Sequence, residues 1–312
     1  MKGSDVKRRV LVTATLLLVS LALLAPGCNI KQTVRTVGEL VKNTYYDTQT
    51  VSTVKVGDID VAYKQFGSGE PLVMITGYST TMDTWSPQFL QALASKFKVI
   101  VFDNRGMGKT TAGTAAFTID QFADDTAGLI GALGFGKANV LGWSIGGDIA
   151  LDVVVRHPDR VIRLVSYAGD CGGLQKIPAP EYKAVLKSIQ DVNVPAKRVL
   201  ASLYPGWYME ANPNYWKEFP FPRELSKLKN IEAQNKAYED WAGVYDQLPS
   251  IIRPVLVAGG TLDVSTPFAN APILLSRIPG SKLAEFKGAG HGLQYMYPYD
   301  FAYAIIEFLS SK

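Results

Sequence analysis

Two cysteines and two histidines, Cys28, Cys171, His157 and His291, are all that the 312 residues contain. No C-x-x-C or H-E-x-x-H spacing exists from which a common zinc site could be built, and there is no cysteine framework to staple a small fold. Excess basic charge is scarce too. The net charge is +4, and Lys2, Lys7, Arg8 and Arg9 against Asp5 carry +3 of it within residues 1–27. What remains supplies no basic face to neutralise phosphates, which argues against a nucleic-acid partner. No internal repeat or low-complexity tract is present. With 47% hydrophobic and 19% charged residues, the chain has the composition of a globular protein that can bury a substantial core.

The first segment stands apart. Lys7-Arg8-Arg9 precedes an uncharged run over residues 10–27 that includes Leu16-Leu17-Leu18-Val19 and Leu21-Ala22-Leu23-Leu24. A charged start followed by an apolar stretch is the pattern of an export signal and not of the folded part. Its end, Leu24-Ala25-Pro26-Gly27-Cys28, resembles the lipobox of a prokaryotic lipoprotein, in which the cysteine is lipidated, although Pro26 departs from that pattern. An uncleaved membrane anchor and ordinary cleavage near Gly27 are the other two arrangements, and all three put the folded part outside the cytoplasm. If Cys28 is acylated, Cys171 has no partner and no internal disulfide forms. Residues 28–50, polar and Thr-rich, read as a tether.

From residue 51 short β-branched runs alternate with longer helical stretches. Residues 51–56 and 59–66, separated by Gly57-Asp58, predict an antiparallel hairpin. Mostly continuous apolar runs at 72–76, 99–102, 138–141, 161–167, 255–258 and 283–286 predict strands of the kind buried on both faces. Helices are expected at 86–95, 119–133, 145–156, 267–277 and 298–310. This is βαβ alternation, hence an α/β fold with a mainly parallel sheet and helices on both faces. Residues 172–249 break the rhythm: they hold eleven of the 33 aromatics and no clear strand, and are expected to form a cap inserted into a core of residues 51–171 and 250–312.

Gly142-Trp143-Ser144-Ile145-Gly146 is a G-x-S-x-G sequence placed directly after one expected strand and before one expected helix, the context that gives the motif its meaning. The sharp turn presents the Ser144 hydroxyl at the carboxyl edge of the sheet; as the simpler reading, Ser144 would only cap the helix. A serine hydroxyl is a weak nucleophile without a base, and an imidazole is the usual one. His157 ends the helix after the motif, where it suits a helix terminus. His291 stands in Gly288-Ala289-Gly290-His291-Gly292 after the last strand, in a loop that can reach the nucleophile. The imidazole needs a carboxylate to orient it; Asp263 follows the strand at 255–258, and Asp170 after the preceding strand is its rival.

The order Ser144, Asp263, His291 is that of the α/β-hydrolases, and residues 51–312 resemble that superfamily. Phe102-Asp103-Asn104-Arg105-Gly106-Met107-Gly108 is similar to a loop of its esterase, lactonase and haloperoxidase-like branches. The resemblance implies an oxyanion hole from the backbone N–H groups of Ile145 and Tyr78, with Thr76-Gly77 standing where many members have His-Gly. It implies an acyl-enzyme mechanism on a small-molecule ester or lactone, with no cofactor and no metal. Perhydrolase or C–C bond chemistry uses the same residues, and a non-catalytic binding protein on this fold is the alternative from another class. Gly108-Lys109-Thr110 imitates the end of a phosphate-binding loop, but Asp103 stands where that loop needs glycine; Gly134-Phe135-Gly136 lacks the third glycine of a dinucleotide fingerprint.

Overall fold

The computed structural model describes residues 49–180, 200–217, 219–220 and 222–311. The expected signal segment, Cys28 and the tether up to residue 48 lie outside the described residues. Among the described residues eight strands make one sheet: β1 Ser52–Val56, β2 Ile59–Phe66, β3 Glu70–Ile75, β4 Phe97–Phe102, β5 Ala138–Trp143, β6 Val161–Tyr167, β7 Val255–Gly260 and β8 Lys282–Phe286. Their order is β1-β2-β4-β3-β5-β6-β7-β8, antiparallel at β1–β2 and β2–β4 and parallel elsewhere. The helices are α1 Pro87–Ala94, α2 Ile119–Ala132, α3 Ile145–Arg156, α4 Gly206–Ala211, α5 Leu228–Glu239, α6 Asn270–Arg277, α7 Leu293–Met296 and α8 Pro298–Leu309.

Crossovers between parallel strands are right-handed, so the connections that step in opposite directions from β3 and β5 put their helices on opposite faces. α2 packs on α3 over one face, and α1 packs on α8 over the other, where the rings of Phe89 and Phe301 stack 5.1 Å apart. β3 and β5 lie at the centre, which is why Leu72, Val73, Met74, Ile75, Val140 and Leu141 are fully buried.

Three expectations need correction. Residues 283–286 were expected to be buried on both faces, but β8 is the edge strand; it has only β7 beside it, and Leu283 is 41% exposed. The helix expected from residue 267 begins at Asn270, because the N–H groups of Ser265 and Thr266 first close on the Asp263 carboxylate. β5 runs two residues past the expected range, since Gly142 and Trp143 pair with Ser166 and Tyr167.

Between β6 and β7 the described residues form α4, α5 and three single turns of tighter helix, without a strand. Residues Thr50–Lys312 cluster as one compact unit. Among the described residues no helix is long and apolar enough to cross a membrane.

Candidate active site

The chain steps from β3 to β4 on one side and, after α2, to β5 on the other. Open α/β sheets bind ligands in the crevice at the carboxyl ends of strands where the order reverses in this way. Ser144 follows β5 at that crevice, and Gly77 lies two residues past β3. Ser144 has φ +59° and ψ −129°, a conformation that costs a residue with a side chain about 1–3 kcal/mol. Neighbouring glycines make room for it: a Cβ on Gly142 would lie 1.8 Å from the Gly146 carbonyl oxygen, and one on Gly146 2.4 Å from that of Ile75. The turn is held by Ser144 N–H donating to Tyr167 O at 2.9 Å and by Gly147 N–H donating to Ser144 O at 2.6 Å. The Ser144 hydroxyl makes no capping bond to α3. Ile145 is the first residue of α3, so its N–H has no partner within the helix.

Asp263 and His291 come from neighbouring strand ends. His291 Nδ1 lies 2.7 Å from Asp263 Oδ2, with both side chains at least nine-tenths buried. The other carboxylate oxygen, Oδ1, accepts the N–H groups of Ser265 and Thr266, each at 2.8 Å. The carboxylate is thus fixed by its own loop and turned toward the ring. β8 is three strands from β5, so the histidine loop has to fold back to approach Ser144. Its carbonyl is pulled there by two aromatic donors: Trp143 Nε1 and Tyr167 Oη donate to His291 O at 3.2 and 2.6 Å. Trp143 immediately precedes Ser144, and its ring lies 5.6 Å from the imidazole. These two clamps are invisible to sequence reasoning, because the group they hold is a backbone carbonyl.

The rival residues lie in other networks. His157 Nε2 is 2.7 Å from Asp124 Oδ1 at the far end of α3, about 20 Å from Ser144 by helix rise. Asp170 accepts from Gly172 N–H and from Tyr238 Oη, at 2.7 and 3.0 Å. Burial raises the carboxyls of Asp170 and its neighbour Asp148 above the ordinary range, and Asp148 Oδ1 takes the Asp170 N–H. Tyr78 is partly buried beside Gly77, and a Cβ on Gly77 would be 3.4 Å from that of Ser144. Thr76, fully buried, is met by Asn104 Nδ2 at 3.4 Å on both its carbonyl and its hydroxyl oxygen.

The profile of the family described as alpha/beta hydrolase fold matches residues 70–296. The chain belongs to that family. It is 28% identical over 277 residues to a Caulobacter sp. (strain K31) protein named carbamate hydrolase RutD, covering 82% of this chain and 98% of that one. It is also 25% identical over 268 residues to the serine hydrolase BPHL of Mus musculus, covering 83% and 86% respectively. The enol-lactonase of Burkholderia xenovorans LB400 has the same fold, with a TM-score of 0.73 at 23% identity over 83% of this chain and all of that one.

In this α/β-hydrolase the loop after β4 is a structural brace. Asp103 Oδ1 and Oδ2 accept the N–H groups of Met82 and Lys109, at 2.7 and 2.8 Å. Gly108, at φ +45°, leaves the space that a Cβ would take 2.3 Å from Asp103 Oδ2. Burial, despite these two bonds, pushes the Asp103 carboxyl up to about 6. Arg105 is 1% exposed and grips Asp125 through Nε and one Nη at 2.8 and 2.7 Å, while its other Nη meets Asp58 at 2.8 Å.

The β6–β7 segment reaches the loops that carry His291 and Asp263. Leu203 O accepts Gly292 N–H at 2.7 Å next to His291, Trp207 Nε1 donates to Gly288 O at 2.9 Å, and Ser265 Oγ donates to Ser202 O at 3.3 Å. Its aromatics pack largely on one another: Tyr204 lies 5.3 Å from Tyr208 and 5.2 Å from Tyr215. Tyr295, 6.3 Å from Tyr204 and 6.0 Å from Trp143, links that cluster to the site. Sequence reasoning marked the aromatics and missed the polar side of α5.

Proposed function

We propose that the protein is a serine hydrolase that cleaves an ester or lactone of a neutral, apolar or aromatic small molecule. Ser144 Oγ attacks the acyl carbonyl and gives its proton to His291 Nε2, while Asp263 holds the Nδ1 proton and stabilises the imidazolium. The backbone N–H groups of Ile145 and Tyr78 receive the oxyanion. His291 returns the proton to the departing alkoxide, leaving an acyl-enzyme. Water, deprotonated by the same nitrogen, then attacks the acyl carbon, and the collapsing intermediate gives the acid and restores Ser144.

The observation that carries this reading is the His291–Asp263 bond of 2.7 Å, in a loop whose carbonyl is clamped by the residue preceding a serine at φ +59°. The relatives' names support the reaction class: a carbamate and an enol lactone both present an acyl carbonyl. The β6–β7 segment serves as the lid. We further infer export and lipidation at Cys28, supported by Lys7-Arg8-Arg9, the uncharged run and the cysteine that ends it.

With short p-nitrophenyl esters, Ser144→Ala is expected to lose on the order of 10⁴- to 10⁶-fold in rate while keeping its melting temperature. Turnover near that of the wild type would overturn the assignment.

A further inference from the structure

α5 is an unusual helix to bury. Of its twelve residues, the buried ones are Asn230, Gln234 and Ala237, so it brings almost no apolar side chain to the core. Buried amides are costly unless hydrogen-bonded, and a helix that buries them must be held by what they bond. Asn230, Gln234 and Tyr238, at i, i+4 and i+8, share one face of the helix. Each takes a different loop at the carboxyl edge of the sheet. Asn230 Nδ2 donates to Gly106 O at 2.7 Å, after β4; Tyr238 Oη donates to Asp170 Oδ2 at 3.0 Å, after β6. Between them Gln234 Oε1 accepts the Ser79 N–H at 2.8 Å, after β3.

The middle contact bears on the reaction. Ser79 stands at φ +57°, a left-handed conformation that an L-residue with a side chain adopts at a cost. The turn is tied at one end by Thr80 Oγ1 donating to Gly77 O at 2.8 Å, and at the other by Gln234. Tyr78 lies between those two ties. Gln234 is fully buried, and its Nε2 has no hydrogen-bond partner among the described residues. An orphaned buried donor is costly, so packing alone does not favour glutamine there. Its acceptor oxygen is the feature that an apolar residue of equal size would lack.

We propose that Gln234 is a positioning residue for acyl transfer: from the lid helix it fixes the Ser79 N–H and thereby aims the neighbouring Tyr78 N–H at the oxyanion. The lid is then part of the construction of the oxyanion hole as well as a wall of the pocket. This rests on the hydrolase reading above, and in particular on Tyr78 as a donor.

Gln234→Met keeps the volume and removes the acceptor; Gln234→Asn keeps the amide but falls one methylene short. Rates are measured with p-nitrophenyl acetate per active site titrated by a fluorophosphonate, beside inhibition by phenylboronic acid, whose tetrahedral serine adduct places an oxygen in the hole. Gln234→Met is expected to lose about 10- to 100-fold in kcat with KM within about threefold, and to lose boronate affinity in parallel. Gln234→Asn moves the same way and stands in should the Met variant not fold. A purely structural role would instead lower the melting temperature or the titrated fraction and leave kcat per site unchanged, which overturns the inference. A loss confined to KM overturns it as well. Wild-type protein that takes up no fluorophosphonate would remove the hydrolase reading itself, whereas reactive wild type beside an unimpaired Gln234→Met removes only this proposal.

Discussion

Asp152 is a carboxylate that the fold buries with little to satisfy it. It is 4% exposed, its Oδ2 has no hydrogen-bond partner among the described residues, and Arg156 Nε lies 3.7 Å away. Burial, and then the charge of Asp120, push it from 3.8 up to about 7. The folded state therefore holds this proton more tightly than the unfolded chain, so stability falls as pH rises from about 4 to about 7 and is level above. The advantage of Asp152→Asn over the wild type in urea unfolding is expected to be larger at pH 8 than at pH 5 by on the order of 2 kcal/mol. An equal difference at both pH values would contradict this account of Asp152. Residues whose chemistry depends on a side chain in a glycine-rich turn, such as Ser144, Asp263 and His291, were legible in the sequence as candidates. Trp143, Tyr167 and Gln234 were not, because each acts on a backbone group of a distant loop, and a glutamine on a polar helix reads as solvated surface.

At the scale of elements, the strands were legible because buried parallel strands are written as mostly apolar runs and the opening hairpin is marked by Gly57-Asp58, and the ranges 59–66 and 161–167 agree with β2 and β6. Ends were less so: β5 is extended by pairing, and α6 is delayed by the Asp263 turn. α5 escaped a definite reading because its buried face is polar. The aromatics of the β6–β7 segment support both their own small core and, through Tyr295, a contact with the site. Residues 172–249 carry ten Lys or Arg and nine Asp or Glu, so no excess charge favours an anionic ligand. Along a series of acyl chains, each buried methylene is expected to raise kcat/KM by up to about 0.8 kcal/mol until the pocket fills, and neutral esters should outrun an anionic analogue. A flat series, or a faster anionic ester, would show that the aromatics only hold that segment together.

Taken whole, the domain has a polarity. β1 runs antiparallel to β2 and β2 antiparallel to β4, so the chain enters at Thr50 on the edge of the sheet opposite the loops of Ser144, Asp263 and His291. In a lipoprotein-competent cell, Cys28→Ser is expected to block lipidation and processing and so to change the mass and fractionation of the protein, while kcat/KM on a soluble ester stays at the wild-type value. Unchanged mass and fractionation would favour a simple anchor or ordinary secretion over the lipobox.

The central claim is that Ser144 is a nucleophile activated by His291, and covalent capture tests it most directly. Wild-type protein is incubated with a fluorophosphonate and the adduct is located by peptide mass spectrometry. One adduct is expected, on Ser144, absent from Ser144→Ala, formed at the normal rate in His157→Gln and slowed by orders of magnitude in His291→Gln. No adduct, an adduct on another residue, or full reactivity in His291→Gln would contradict the account.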